Sequence, residues 1–71
     1  MEYKAIARHA DQTYYGHIFN TDGSAVDSVV GMLPSGANPA NVALIVHHVY
    51  NGNIGDIAYV TTLVKYQVDT E

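Results

Sequence analysis

The sequence predicts a small α+β domain with the order ββαββ. Two hairpins form a small antiparallel sheet, and one short helix lies between the hairpins in the chain. Two observations indicate this class. Three segments are rich in the β-branched and aromatic residues that strands favour, namely residues 13–20, 42–50 and 57–68, and residues 2–9 alternate weakly between two faces. Apolar residues recur at helical spacing between residues 26 and 33, and turn-forming residues separate the segments.

The first two segments form the first predicted hairpin. Residues 2–9 alternate weakly between two faces, and residues 13–20 contain several aromatic side chains. The short gap at Ala10-Asp11-Gln12 predicts an antiparallel hairpin. Gly16 lies inside the second strand, where a glycine marks either a bulge or a close approach of another backbone or a ligand.

A short helix is predicted next. Ser24 and Asp27 resemble a capping box, although glutamate is the acid preferred at the third position. An apolar stripe follows at i, i+3, i+4 and i+7, formed by Val26, Val29, Val30 and Leu33. Pro34 ends the helix because the residue before a proline is disfavoured in the helical region. A helix of this length is stable only when it packs against another element.

The most apolar run, residues 42–50, has two interpretations. Its β-branched residues and the Asn51-Gly52-Asn53 turn behind it favour a strand. A helix is the alternative, with Asn38 as N-cap and Pro39 as the first helical residue, which changes the order to ββααβ. Periodicity alone does not separate the two, and the β-branched content favours the strand.

Residues 57–68 give the clearest alternation in the chain and predict one long final strand. The whole chain of 71 residues then forms a single domain. One short helix cannot cover a four-stranded sheet, so an apolar sheet face is expected to remain exposed. Such a face usually marks an interface, and we therefore expect a homodimer or a higher oligomer.

Composition excludes several classes of protein. With a net charge of −4 and three basic residues, the chain lacks the cations that a binder of duplex nucleic acid requires. Cysteine is absent, so disulfides and thiolate metal sites are excluded. No apolar run is long enough to span a bilayer, and the amino-terminal residues lack a signal-peptide pattern. These observations lead us to expect a cytoplasmic protein without membrane contact.

One group of side chains suits a ligand. A hairpin turn centred on Asp11 and Gln12 places Arg8 opposite Tyr15, Ile6 opposite His17 and Lys4 opposite Phe19, all on one face. An aromatic ring beside a cation can stack on a base and hold its phosphate. We expect Arg8, Tyr15, His17 and Lys4 to contact a small nucleotide-like anion. An ordinary solvated face with a cation–π pair is the simpler interpretation of the same residues.

Metal and catalytic sites are not predicted. His47 and His48 are adjacent, so they diverge on a strand or a helix, and no zinc-binding spacing is present. No serine lies in a nucleophile elbow, and no glycines have the spacing of a dinucleotide or phosphate-binding loop. We therefore expect no enzyme activity, no cofactor and no metal.

Two functions fit these observations. The first is a non-enzymatic, oligomeric binding protein that sequesters a small nucleotide-like anion at a subunit interface. The second is a protein–protein interaction module or inhibitor that blocks a host protein through its sheet face. Small size and acidity are similar to those of short viral accessory proteins, and this likeness is one of composition alone.

Overall fold

A four-stranded antiparallel sheet carries two short helices in the structure, a computed structural model that describes residues 1–70. The strands are β1 (Glu2–His9), β2 (Gln12–Tyr15), β3 (Ala43–Tyr50) and β4 (Asn53–Thr62). The helices are α1 (Asp22–Val30) and α2 (Leu63–Asp69), and a short 3₁₀ turn covers Pro39–Asn41. The strand order across the sheet is β2-β1-β3-β4. The α+β class with a small antiparallel sheet is confirmed, and the order of elements is ββαββα.

The turn between β1 and β2 differs from the predicted one. Ala10 and Asp11 have φ values of 49° and 67°, which is the geometry of a two-residue hairpin loop whose twist matches its strands. Ile6 therefore lies opposite Tyr15, and Arg8 lies opposite Thr13. The predicted turn at Asp11 and Gln12 is wrong, and the true register is shifted by two residues.

β2 ends at Tyr15 because the chain then turns towards α1. Gly16 is buried, and a Cβ atom there would lie 2.5 Å from Ser28 Oγ and 3.1 Å from Val29 Cβ. The backbone N–H of His17 donates to Ser28 Oγ at 3.0 Å. The strand predicted to Asn20 is therefore wrong beyond Tyr15. Of the roles considered for Gly16, close approach to another backbone element is the one observed.

Helix α1 begins earlier than its apparent capping box. Thr21 is the N-cap, and its side chain accepts a hydrogen bond from the backbone N–H of Ser24 at 3.2 Å. The prediction that Ser24 caps the helix is wrong. Val26 and Val29, both in the predicted stripe, are buried against the sheet. Ala5 and Ala7 of β1 belong to the same buried cluster as these two valines.

The run at residues 42–50 forms β3, a central strand between β1 and β4. The helical alternative and the order ββααβ are wrong. The capping signal before the run is nevertheless real, because Asn38 Oδ1 accepts from the backbone N–H of Ala40 at 3.1 Å. That cap starts only the 3₁₀ turn, and Val42 returns the chain to the extended region with φ −106° and ψ 119°.

The predicted strand over residues 57–68 is correct only to Thr62. There Thr62 becomes the N-cap of α2, and its Oγ1 accepts from the backbone N–H of Lys65 at 3.3 Å. Leu63 is buried in the core, and Tyr66, one helical turn later, packs against the same core. The helix therefore closes the end of the core that α1 does not reach. Across residues 1–70, neither helix has the length and apolar character needed to cross a membrane.

Tyr59 joins the edge strand β4 to the start of α1. Its hydroxyl donates to Asp22 Oδ2 at 3.0 Å, across 37 positions of sequence. Burial, followed by the hydrogen bond and the charge of Asp22, raises the pKa of the Tyr59 hydroxyl above its ordinary value of 10.0. The folded chain therefore holds a proton that an unfolded chain releases at alkaline pH.

We expect the free energy of unfolding to fall more steeply with alkaline pH in the wild type than in Tyr59→Phe. Because the pKa is raised in the folded state, the contribution of Tyr59 is complete below pH 10 and is lost as the pH rises towards the folded-state pKa. Urea unfolding from neutral pH to above pH 10 measures the slope. Tyr15→Phe, which alters an exposed ring on the other face, is the control. Equal slopes for the wild type and Tyr59→Phe would contradict the expectation.

Candidate binding site on the open sheet face

One face of the sheet lies opposite the two helices, and an apolar row crosses it. The register aligns one residue from each strand in this row: Tyr15, Ile6, Ile45 and Val60. Tyr15 and Val60 keep 57% and 63% of their surface exposed. The neighbouring rows hold Arg8 with Thr13, Ala43 and Thr62, and Lys4 with His47 and Ile57. We call the surface formed by these three rows the open sheet face.

Three of the four residues expected to contact a ligand lie on the open sheet face. The two-residue shift of register is an even number, so it leaves Lys4, Arg8 and Tyr15 on the same side. Lys4, rather than Arg8, is the cation beside the ring, with its Nζ 5.9 Å from the Tyr15 ring centroid. Arg8 Nη1 instead donates to Thr13 Oγ1 at 3.3 Å.

His17 does not join them through the predicted pairing. It follows the end of β2, and its backbone is hydrogen-bonded to Ser28 of α1. The pairing of His17 with Ile6 is therefore wrong, because the approach of Gly16 to α1 draws the chain out of the sheet. The predicted pairing of Lys4 with Phe19 is also wrong, since Phe19 bridges to Tyr3.

His47 is a polar residue of the open sheet face that the sequence did not assign to the site. It lies opposite Lys4 on one side and Ile57 on the other. Its Nδ1 is 3.2 Å from the carbonyl oxygen of Gly55, which can only accept, so Nδ1 is the protonated nitrogen in this bond. The signal that identifies His47 is its alternation with Ile45, which becomes usable once residues 43–50 are known to be a strand.

His48 lies on the opposite side of the sheet from His47. Its ring centroid is 5.2 Å from that of Tyr3 and 6.3 Å from that of Tyr50. The two histidines therefore do not approach one ion. Within the described part of the chain, no group of three or more histidine, cysteine or acidic side chains is arranged to hold a metal.

The open sheet face thus brings together two cations, one exposed aromatic ring and a continuous apolar row. Lysine and arginine attract an anion, and an exposed ring offers a stacking surface to a base. The surface therefore suits a ligand that is both anionic and aromatic, or the surface of another protein. No protein-family model, curated protein or solved structure matches the chain.

Proposed function

We propose that this protein is a non-enzymatic binding protein that self-associates and holds a small nucleotide-like anion against its open sheet face. The observation that carries the proposal is the position of Lys4, Arg8 and Tyr15 on one face beside the apolar row. The chemistry of these groups is recognition: two cations and a ring can bind a ligand but do not by themselves transform it.

The ligand would use both parts of this surface. A base stacked on the exposed ring of Tyr15 contributes about 1–3 kcal/mol. Lys4, already beside that ring, supplies a charge for the first phosphate. Arg8, held by Thr13, presents its remaining N–H donors to a second anionic group. A flat sheet face cannot enclose most of a small ligand, so a second subunit is needed to close the site.

The area of the open sheet face is consistent with pairing of two copies. The four strands have 8, 4, 8 and 10 residues, and with a rise of about 3.4 Å per residue and a spacing of about 4.8 Å between strands they give a face of roughly 500 Å². Two such faces bury about 1,000 Å² in total, which is at the lower end of specific interfaces. A chain this short also obtains only about 3–5 kcal/mol from its own core, so association adds stability it lacks.

The strand edges are poorer interfaces than the face. β2, at one edge, is four residues long. β4, at the other, has register shifts where it passes Val46, His47 and Val49. Short strands and irregular pairing both disfavour the addition of another strand. Contact between copies is therefore expected face to face.

A thermal-shift screen with mononucleotides and cyclic nucleotides tests the ligand. A ligand that binds only the folded protein adds about 2.7 kcal/mol at a concentration of 100 times its Kd. We expect Lys4→Ala and Arg8→Ala each to weaken that shift, since both remove a phosphate contact. Lys65→Ala is the matched control, because it deletes the same charge from α2.

Two results would contradict the nucleotide proposal. One is the absence of a shift with every nucleotide. The other is an equal loss of affinity in Lys65→Ala and Arg8→Ala, which would show that only net charge matters. The second result would distinguish long-range attraction from a site built around Tyr15.

A second candidate is an inhibitor that docks its open sheet face on another protein. The observation in its favour is that the apolar row crosses all four strands, from Tyr15 to Val60, and so exceeds the area of one base. Positive charge at Lys4 and Arg8 then selects an acidic partner surface. Binding of an acidic partner protein that is weakened in Lys4→Ala and lost in Val60→Lys, with no thermal shift from any nucleotide, would favour this function over the first.

A further inference from the structure

A second surface feature lies on the side of the sheet that carries the helices. A pocket of about 240 Å³ opens between β4, the start of α1 and the end of α2. Its walls are two acidic, two tyrosine and two threonine side chains, contributed by Asp22, Tyr59, Thr61, Tyr66, Asp69 and Thr70. These residues are separate from those of the open sheet face.

The pocket is electronegative. None of the six lining residues is basic, and two carry carboxylates. Asp22 is fixed by the Tyr59 hydroxyl on Oδ2 and by the backbone N–H of Gly23 on Oδ1. Burial and then the charges of Asp22 and Asp27 raise the pKa of the Tyr66 hydroxyl, so the charge of Asp22 acts on both tyrosines of the pocket.

Asp69 lies at an electrostatically unfavourable position in α2. It is the last residue of α2, and the last turn of this helix has no basic residue. A negative charge at the carboxyl end of a helix opposes the helix dipole. Asp22, by contrast, lies in the first turn of α1, where a carboxylate is favourable. A positive ligand beside Asp69 would reverse this unfavourable interaction.

We propose that this pocket binds a small organic cation of the alkylammonium class, with Asp69 and Asp22 as its anionic partners and Tyr59 and Tyr66 as its walls. Tyrosine rings attract ammonium groups and also contact the carbon chain between them. The volume of about 240 Å³ lies below the range usual for drug-sized ligands and suits a short amine. A hard metal ion fits less well, because it requires more oxygen ligands and no aromatic wall.

Calorimetric titration with 1,4-diaminobutane at constant ionic strength tests the proposal. We expect saturable binding to the wild type and a loss of affinity of about fivefold or more in Asp69→Asn. Asp11→Asn is the matched control: it removes the same charge from the exposed β1–β2 turn, where asparagine tolerates the positive φ. 1,4-Butanediol, which replaces each ammonium by a hydroxyl, should not bind.

Urea unfolding of the unliganded variants shows whether lost binding is due to unfolding. Asp69→Asn removes an unfavourable charge from the end of α2, so its urea midpoint should equal or exceed that of the wild type. Lost binding in this variant is then not due to unfolding. Equal weakening by Asp11→Asn, or binding of the diol as tight as that of the diamine, would overturn the proposal. Neither outcome bears on the anion site of the open sheet face.

Discussion

Replacement of Gly16 by alanine is expected to destabilise the folded protein by about 1–3 kcal/mol. The new Cβ would lie 2.5 Å from Ser28 Oγ, 3.1 Å from Val29 Cβ and 3.2 Å from the carbonyl oxygen of Ala25. Ser28 cannot move aside freely, because its Oγ accepts from the backbone N–H of His17 and donates to the carbonyl of Ala25. The helix must therefore shift as a whole or lose these hydrogen bonds.

Gly31→Ala supplies the matched control for this substitution. Gly31 ends α1 with φ −63°, and its added Cβ would meet its nearest atom at 3.6 Å, an ordinary contact. Alanine there should be neutral or stabilising by about 0.4–1 kcal/mol, because it reduces the entropy of the unfolded chain. Urea unfolding of both variants compares them. A Gly16→Ala midpoint equal to that of Gly31→Ala would show that α1 does not pack tightly on residue 16.

The sequence predicts the elements that local patterns define. The strand at residues 2–9, the helix stripe of Val26 and Val29, and the strand nature of residues 43–50 all follow from periodicity and composition. The end of β4 cannot be predicted in this way, because residues 57–68 fit both the two-residue alternation of a strand and the spacing of a helix. Val64 and Val68 continue the strand alternation, whereas Leu63 and Tyr66 also fit a helical face. Burial of Leu63 in the core, a tertiary effect, selects the helix.

The sequence predicts part of the candidate binding site, because strand alternation decides which side chains share a face. An even shift of register moves pairing along the strand and leaves each side chain on its face, so Lys4, Arg8 and Tyr15 stay together. The position of His17 depends on the contact of Gly16 with α1, twelve residues further along the chain at Ser28. Gly16 signals a close approach, but no local pattern identifies α1 as the element that approaches it. The pocket at Asp69 was unpredictable too, because it requires α2.

Replacement of Val60 by lysine is expected to weaken self-association by about a hundredfold, which corresponds to roughly 2.7 kcal/mol. Val60 ends the apolar row of the open sheet face and is 63% exposed in the single chain. In a face-to-face pair it would be buried, and the substitution would remove apolar burial from both subunits. It would also add a cation to a face that already carries Lys4 and Arg8, so like charges would meet across the interface.

Val68→Lys separates a specific interface from a general effect of surface charge. Val68 is 64% exposed, almost the same as Val60, and lies on α2 near its carboxyl end, where a cation is favourable. Sedimentation equilibrium at micromolar concentration should show an oligomer for the wild type and Val68→Lys, and a monomer for Val60→Lys. A monomeric wild type would remove the self-association proposal. An oligomer that resists Val60→Lys and dissociates in Val68→Lys would assign the interface to α2, because both substitutions place the same charge at an equally exposed valine.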